Sequence, residues 1–126
     1  MNVIDRFLTE LSAGHGMTPD LWQDDTVLDA TVPGWRFESH GAEAVAATLS
    51  GWYNVPITVE GLSRRPVAGG EVLTLELSWV EDGMPHAAHQ AHVLEVDGDR
   101  IVTHQAFCGG RWPASLLAEM EAARAH

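Results

Sequence analysis

Apolar residues recur with helical spacing in the first twenty-five or so positions of the chain. Residues 3–11 carry Val, Ile, Phe, Leu and Leu at i, i+1, i+4, i+5 and i+8, after Asn2 as a candidate N-cap and before the two glycines of AGHG. This pattern predicts an amphipathic first helix. Thr18 before a proline is a cap followed by a first-turn proline, so TPDLWQDD predicts a second, short helix with Leu21 and Trp22 facing inward.

A strand and a third helix are predicted in the next segment. TVLDATV, at residues 26–32, is rich in β-branched residues and favours a strand. After the PGW turn, the alanine-rich segment 42–52 places Val45, Leu49 and Trp52 at i, i+4 and i+7, which predicts a helix closed by Gly51.

In the second half of the chain, apolar residues recur at every second position instead of with helical spacing. PITVEGL, EVLTLELSWV, PHAAHQAHVLEV and RIVTHQAF are separated by AGG, EDGM and DGD, which are turn signals between four strands of an antiparallel meander. Residues 113–126 favour a C-terminal helix. The sequence therefore predicts an α+β fold, in which helices cover one face of a mainly antiparallel sheet and a cavity opens between the layers.

The segment HAAHQAHVLEV, at residues 86–96, contains three histidines spaced by threes. In a strand, His86, Gln90 and His92 share one face with the apolar Leu94 and should point inward, whereas the middle histidine, His89, points outward or toward a partner subunit. A helix would align all three rings. The turn before the segment and the β-rich continuation argue against that alternative.

The following strand has two possible faces. One carries Val102, His104, Ala106 and Cys108, and the other carries Ile101, Thr103, Gln105 and Phe107. A shift of one residue would move His104 to the opposite face of the sheet, so the hydrophobic pattern alone leaves the register of this strand open.

Composition narrows the classes of partner. The 126 residues suffice for one domain, spanning 1–126. Eighteen acidic against seven basic residues give a formal charge of -11, which disfavours nucleic acid and anionic membrane surfaces as partners.

The single cysteine, Cys108, excludes an internal disulfide, and neither a secretory signal nor an apolar run of membrane-spanning length is present, so we expect a cytoplasmic protein.

A metal site is a further alternative for the histidines. His86, His92 and His104 could in principle supply three imidazoles, as catalytic zinc sites do. Because the sequence has no HExxH or CxxC motif, we expect no metal. Cys108 also lacks a recognisable context that would lower its pKa, so a nucleophilic role is not expected.

Several strings, in this order of elements, resemble the ketosteroid-isomerase-like, SnoaL-like superfamily, whose members share the nuclear transport factor 2 fold. The strings are LWQDDTVLD at 21–29, GAEAVAATLSGW at 41–52, GMPHAAHQAHVLEVDGDRI at 83–101 and THQAF at 103–107. The resemblance covers nearly the whole chain. It implies a cone of N-terminal helices packed on a curved sheet around a pocket, chemistry without a cofactor, and a homodimer through the open face of the sheet.

The resemblance also implies roles for individual residues. Asp29 in TVLD is similar in position to the general base of ketosteroid isomerases, and His92 falls where those enzymes place a second Asp that stabilises the oxyanion. Phe7 falls at their oxyanion-hole Tyr and has no hydroxyl, so steroid isomerisation itself is not expected. The pocket histidines and Asp are similar to those of scytalone dehydratase, which makes Asp29 and His92 a candidate dyad. The remaining implied pocket residues are His104, His86, Gln90, Trp79 and Cys108.

Two functions follow as hypotheses. The first is an isomerase, dehydratase or polyketide-cyclase type of enzyme that acts on an apolar carbonyl compound, with Asp29 and His92 exchanging protons and His104 with Gln90 orienting the carbonyl. Such acid-base catalysis typically contributes about 10²- to 10⁴-fold. The alternative is a non-catalytic domain for small-ligand binding or dimeric assembly. In either case Trp35, which follows a turn near the expected pocket mouth, is a candidate lid or stacking ring.

Overall fold

The computed structural model describes residues 2–125, and His126 at the end of the predicted C-terminal helix lies outside the described residues. The helices are α1 (Val3–Ala13), α2 (Ala42–Trp52) and α3 (Ala114–Arg124), with a single 3-10 turn at Pro19–Leu21. The strands are β1 (Val27–Val32), β2 (Trp35–His40), β3 (Thr58–Val67), β4 (Gly70–Glu81), β5 (Met84–Asp97), β6 (Arg100–Cys108) and β7 (Trp112–Pro113).

All seven strands belong to one curved, open sheet. The spatial order is β2-β1-β6-β5-β4-β3. β7 pairs with His86 and Ala87, near the start of β5. β1 runs parallel to β6, whereas the other pairs are antiparallel. The predicted four-strand meander is therefore confirmed as β3 to β6, and the α+β fold class is confirmed as well.

Helix α1 begins and ends where its sequence predicts. Asn2 accepts from the backbone N–H of Asp5, whose carboxylate in turn accepts from the backbone N–H of Asn2, which forms a capping box. Gly14 ends the helix with a φ of 77°, and a Cβ there would lie only 2.2 Å from the backbone carbon of Val55. Only glycine permits both this left-handed conformation and this close approach.

The predicted second helix is wrong beyond its first turn. The chain leaves the 3-10 turn in an extended conformation, and Trp22 forms a parallel bridge with Ile101 of β6. The backbone N–H of Gln23 then donates to the carbonyl of Ile101 at 3.0 Å. These bonds to the sheet replace those that a longer helix would have made, although Leu21 and Trp22 are fully buried as expected.

Two further elements differ from the sequence expectation. The polar segment Trp35–His40 forms an edge strand, because the turn at Pro33 and Gly34 folds it back antiparallel to β1. Gly51 lies inside α2 and does not end it; the helix ends at Trp52, and the N–H of Tyr53 still donates to the carbonyl of Leu49. The final helix, α3, forms as predicted but buries none of its side chains.

The core lies between the inner face of the sheet and helices α1 and α2. The helices contribute Val3, Ile4, Phe7, Leu11, Val45 and Leu49, all at most 4% exposed. On β5 the even-numbered residues face inward, as predicted, and on β6 His104 faces inward opposite Leu94. Of the helices among residues 2–125, none is long and apolar enough to cross a membrane.

Candidate functional site

Five buried side chains form a continuous series of hydrogen bonds through the core, which we call the buried chain: Trp22, His104, His92, Gln90 and Tyr53. The indole Nε1 of Trp22 lies 3.1 Å from Nδ1 of His104, whose Nε2 lies 2.8 Å from Nδ1 of His92. The Nε2 of His92 lies 3.0 Å from Oε1 of Gln90 and 3.1 Å from the Tyr53 hydroxyl. The Tyr53 hydroxyl itself donates to Oε1 of Gln90 at 2.6 Å.

The direction of every bond in the buried chain follows from its first member. An indole N–H can only donate, so Nδ1 of His104 must accept, and the neutral ring carries its proton on Nε2. That N–H donates to Nδ1 of His92, which places the proton of the second ring on Nε2 as well. At the end of the buried chain, Oε1 of Gln90 therefore accepts two hydrogen bonds, one from His92 and one from Tyr53.

Burial keeps both histidines neutral. His92 and His104 are at most 1% exposed, and the ring of Phe7 packs edge-on against both at centroid distances of 5.3 and 5.4 Å. Desolvation lowers the pKa of His92 to about 3 and holds that of His104 well below 6.5, the neighbouring His92 lowering it further. Desolvation likewise raises the pKa of Tyr53 well above 10.

A half-enclosed cavity of about 300 Å³ lies between α2 and the inner face of the sheet. It is lined by Val32, Pro33, Gly51, Trp52, Tyr53, Ile57, Leu77, Trp79, Ala88, Gln90, Cys108, Gly110 and Arg111. Of these described residues none is a histidine or a carboxylate. The buried chain thus reaches the cavity only at its last two members, Gln90 and Tyr53, and the imidazoles lie behind them.

Trp79 and Arg111 form one side of the cavity. The guanidinium of Arg111 lies 5.2 Å from the centre of the Trp79 ring, which also stacks on His86 at 5.8 Å. Nδ1 of His86 lies 2.9 Å from the carbonyl of Met84, so this ring is engaged outside the cavity. The indole N–H of Trp79 is buried without a hydrogen-bond partner among residues 2–125.

The structure does not bring Asp29 and His92 together. Asp29 pairs in register with Gln105 of β6, one residue along from the inward-facing His104, and so lies on the opposite face of the sheet. There its carboxylate accepts two hydrogen bonds from Arg36 at 2.9 and 2.7 Å, and the pKa of Asp29 is lowered by that guanidinium. The expected dyad is therefore wrong, because the strand alternation that buries Leu28 and Ala30 points Asp29 away from the cavity.

Other expected pocket residues are divided between the cavity and its surroundings. Gln90, Trp79 and Cys108 line the cavity, and the amide Nε2 of Gln90 lies 3.6 Å from Sγ of Cys108. Phe7 belongs to the core behind the histidines. Trp35 lies on the edge strand β2 and is 70% exposed, outside the set of residues that line the cavity.

Three residues of the buried chain and the cavity were not predicted from the sequence. Tyr53 follows Leu49 by four positions, so helical spacing carried one residue beyond the predicted end of α2 would have placed it inward. Trp22 was expected to be buried, but no pattern indicated its bond to a residue 82 positions away. Arg111 lies after the last predicted strand and had no local signal.

The three histidines considered for a metal site, His86, His92 and His104, do not assemble one. Within residues 2–125, no group of three His, Cys, Asp or Glu side chains is arranged to hold a metal ion. His92 and His104 hydrogen-bond to each other, and His86 stacks on Trp79 on a different part of the sheet.

A shallower groove of about 550 Å³ lies on the outer face of the sheet. Thr31, Thr74, His89, Ala91 and Phe107 line it, together with four residues that also line the inner cavity: Val32, Pro33, Gln90 and Cys108. His89 points outward, as expected, and Nε2 of its ring lies 3.4 Å from the carboxylate of Glu76.

Comparison with known proteins identifies the fold. No family model and no curated protein matches the sequence. A nuclear transport factor 2-like protein from Anabaena variabilis is 15% identical, with a TM-score of 0.65 over 86% of this chain and 87% of its own. A protein from Rhodopseudomonas palustris, provisionally named an isomerase, is 11% identical with a TM-score of 0.63 over 86% and 90%.

A third similar structure is a protein from a study of de novo design with diverse pocket structures. It is 12% identical, with a TM-score of 0.61 over 84% of this chain and 95% of its own. At such identities the shared property is the arrangement of helices and strands, not the chemistry. The protein therefore has the nuclear transport factor 2-like fold.

Proposed function

We propose that this protein binds a small, largely apolar molecule in the cavity of about 300 Å³. The observation that carries the proposal is the composition of the cavity wall. Apolar and aromatic side chains from α2, β4 and β5 surround a single neutral amide, Gln90, which is 8% exposed and is held by the buried chain. A concave, mostly apolar wall with a few fixed polar groups is the usual form of a small-molecule site.

The fixed position of Gln90 supports this proposal. A carboxamide on a flexible side chain would lose rotational freedom when a ligand binds, and that loss opposes binding. Here Tyr53 and His92 already hold Oε1 of Gln90, so the amide is ordered before any ligand arrives. The rest of the wall gains from burial of apolar ligand surface, at roughly 25 cal/mol per Å².

The proposal is tested by calorimetric titration with tetralin and its ketone, 1-tetralone, as probes. Both are compact bicyclic molecules, and 1-tetralone adds one carbonyl. Ala88 lines the cavity, so Ala88→Phe should fill it and abolish binding. Ala87→Phe adds the same ring on the opposite face of the same strand and should leave binding unchanged. Failure of both probes to bind the unaltered protein would contradict the proposal.

The second candidate is an acid-base enzyme of the isomerase, dehydratase or cyclase type, acting on an apolar carbonyl compound without a cofactor. It is supported by the contact between His92 and Tyr53, which links an imidazole to the cavity wall, and by the provisional isomerase name of a protein with the same fold. In this candidate the Tyr53 hydroxyl, accepting from the Nε2–H of His92, would turn its own proton to the ligand carbonyl and polarise it, while solvent water removes and returns the α-proton. Asp29 has no part, because it lies on the other face of the sheet.

Exchange of the α-protons of 1-tetralone with D₂O distinguishes the two candidates. An acid-base enzyme should accelerate this exchange over buffer, since enolisation removes and returns one α-proton, and His92→Gln should reduce the acceleration. A binding protein should bind 1-tetralone without accelerating exchange. The lowered pKa of His92 makes its ring a weak base, and the described cavity wall carries no carboxylate; both favour binding without exchange.

We also propose a homodimer through the outer face of the sheet. Phe107 is 44% exposed there beside the half-buried Ala91 and Val93, and the three side chains form an apolar strip on this face. A second copy of the chain would bury this strip by symmetric contact.

A further inference from the structure

Gln90 is the member of the buried chain whose amide faces the cavity. The oxygen and the nitrogen of this amide differ in how much of their hydrogen-bonding capacity is already used. Oε1 is occupied by hydrogen bonds from Tyr53 and His92. Nε2 lies 3.6 Å from Sγ of Cys108, another cavity-lining residue, and a thiol sulfur is only a weak acceptor. The end of Gln90 with unused hydrogen-bonding capacity is therefore its N–H group.

The other polar side chains at the cavity are also donors. The indole N–H of Trp79 is buried and has no partner among the described residues, although Trp79 itself is 9% exposed and lines the cavity. Arg111 carries only N–H groups, and its guanidinium covers the Trp79 ring. The one hydroxyl at the wall, that of Tyr53, already donates to Gln90.

This polarity is set at the far end of the buried chain. If His92 accepted at Nε2, Gln90 could turn its N–H group toward the ring and its oxygen toward the cavity. Trp22 prevents this reversal, because its donor-only indole fixes the proton of His104 on Nε2, and hence that of His92 on Nε2. Trp22 thereby orients an amide that it does not touch.

We propose that the cavity selects ligands with a hydrogen-bond acceptor, such as a ketone, ester or lactone oxygen, over ligands of the same shape that carry only a donor, and that Trp22 determines this preference by orienting Gln90. The inference rests on the proposed binding function. An acceptor pairs with the free N–H of Gln90, whereas a donor leaves that group unpaired and adds a second unpaired donor in a desolvated site.

Three bicyclic probes of nearly equal size test the proposal by calorimetry: 1-tetralone as acceptor, 1,2,3,4-tetrahydroquinoline as donor, and tetralin with neither. The unaltered protein should bind 1-tetralone about tenfold more tightly than tetrahydroquinoline, which is the ratio expected for one hydrogen bond. Gln90→Met removes the N–H group at similar volume and should reduce the ratio several-fold, since only the donors of Trp79 and Arg111 then remain at the cavity, with the affinity for tetralin retained.

Trp22→Phe tests the remote part of the proposal. With the indole donor removed and Gln90 still present, both amide orientations become accessible, and the preference for 1-tetralone should fall several-fold. Trp112→Phe is the matched control, because this ring packs against His89 outside the cavity, and the preference should persist.

The results distinguish failure of the acceptor preference from failure of the proposed binding function. Equal affinities for 1-tetralone and tetrahydroquinoline, or tighter binding of the donor, would overturn the acceptor preference while the binding function stands. An unchanged preference in Trp22→Phe would overturn the role of Trp22. Absence of binding by all three probes would instead contradict the proposed function itself.

Discussion

Trp22, at the end of a 3-10 turn, donates its indole N–H to Nδ1 of His104 in the middle of β6, at 3.1 Å and with the two rings stacked at an interplanar angle of 22°. This bond joins the segment after the 3-10 turn to β6 inside the core. It also fixes the tautomers of both buried histidines, because a donor-only group at one end leaves each following group one choice.

The tautomers of His92 and His104 are directly observable. In the unaltered protein, long-range proton–nitrogen NMR spectra should show Nδ1 unprotonated and Nε2 protonated in both rings near neutral pH. In Trp22→Phe, the nitrogen shifts of both rings should change, although only His104 contacts Trp22 directly. Unchanged nitrogen shifts at His92 would show that the tautomers of the two histidines are not coupled through the buried chain.

Trp22→Phe should also reduce stability. It removes volume from a fully buried site and leaves Nδ1 of His104 without its donor, so we expect a loss of about 1–3 kcal/mol in the free energy of unfolding. Urea denaturation measures this loss. Trp35→Phe, on an edge strand and largely exposed, should change stability by no more than about 0.5 kcal/mol.

The buried histidines should make folding stability rise with pH. The pKa of His92 is lowered from 6.5 to about 3 by burial, and that of His104 is lowered in the same direction. Between these values the unfolded chain binds protons that the folded protein does not, so the free energy of unfolding must fall as the pH falls below about 6.5. Each ring should contribute a slope approaching about 1.4 kcal/mol per pH unit.

Urea denaturation at several pH values between about 7 and 5 measures this slope, above the range in which most carboxylates titrate. His40→Gln is the control, because it removes an exposed ring that pairs only with Glu38 at the surface, and the steep decline should remain. A free energy of unfolding that is constant across this range would contradict the assignment of two buried neutral rings.

Asp29→Asn should leave the cavity unaffected. The carboxylate pairs with Arg36 on the outer face of the sheet and makes no bond to the buried chain. We therefore expect the affinity for 1-tetralone and the nitrogen shifts of His92 to stay the same within error. A marked loss of binding, or displaced His92 signals, would reinstate Asp29 as a member of the site.

Tyr53→Phe should destabilise the protein and loosen the amide of Gln90. The hydroxyl donates to Gln90 and lies within 3.1 Å of His92, so its removal deletes a buried hydrogen bond, at a cost of about 1–3 kcal/mol. Thr103→Val, which removes a hydroxyl that bonds Glu95 on the exposed face, should cost much less. Urea denaturation compares the two, and equal losses would argue against a special role for Tyr53.

The proposed dimer is tested by sedimentation velocity. Phe107→Glu places a charge on the apolar strip of the outer face, which should convert a dimer into a monomer without affecting the inner cavity. Thr103→Glu, on the same strand and face but beside Glu95, tests whether any added charge has this effect. A monomer in the unaltered protein would contradict the proposal.

Much of the fold was predictable because it depends on local periodicity. The capping box of α1, the spacing of Val45 and Leu49, and the turns between four alternating strands specify elements through neighbours in sequence. The inward face of β5 was also predictable, since Leu94 and Val96 fix which side of the strand is apolar. Edge strand β2 was missed because an edge needs little hydrophobic pattern to pair.

The site was only partly predictable. Trp79 and Cys108 were placed at the pocket by the resemblance, because the pattern of β6 left its register open. Strand alternation placed His92 and Gln90 correctly on the inner face. The dyad with Asp29 failed on the same principle, because the buried Leu28 and Ala30 on either side of Asp29 require it to face outward. The similarity in position to the isomerases outweighed that local signal.

The sequence by itself thus determined the three helices α1, α2 and α3, the four strands of the meander and the inward face of β5, since these follow from the spacing of apolar side chains. Only the tertiary structure decided that Trp22 meets His104, that His92 meets Tyr53, and that the histidines lie behind the cavity wall. The physical reason is that hydrogen-bond partners far apart in sequence leave no periodic signal. Their meeting depends on strand register and helix packing, and their direction depends on the one group that can only donate.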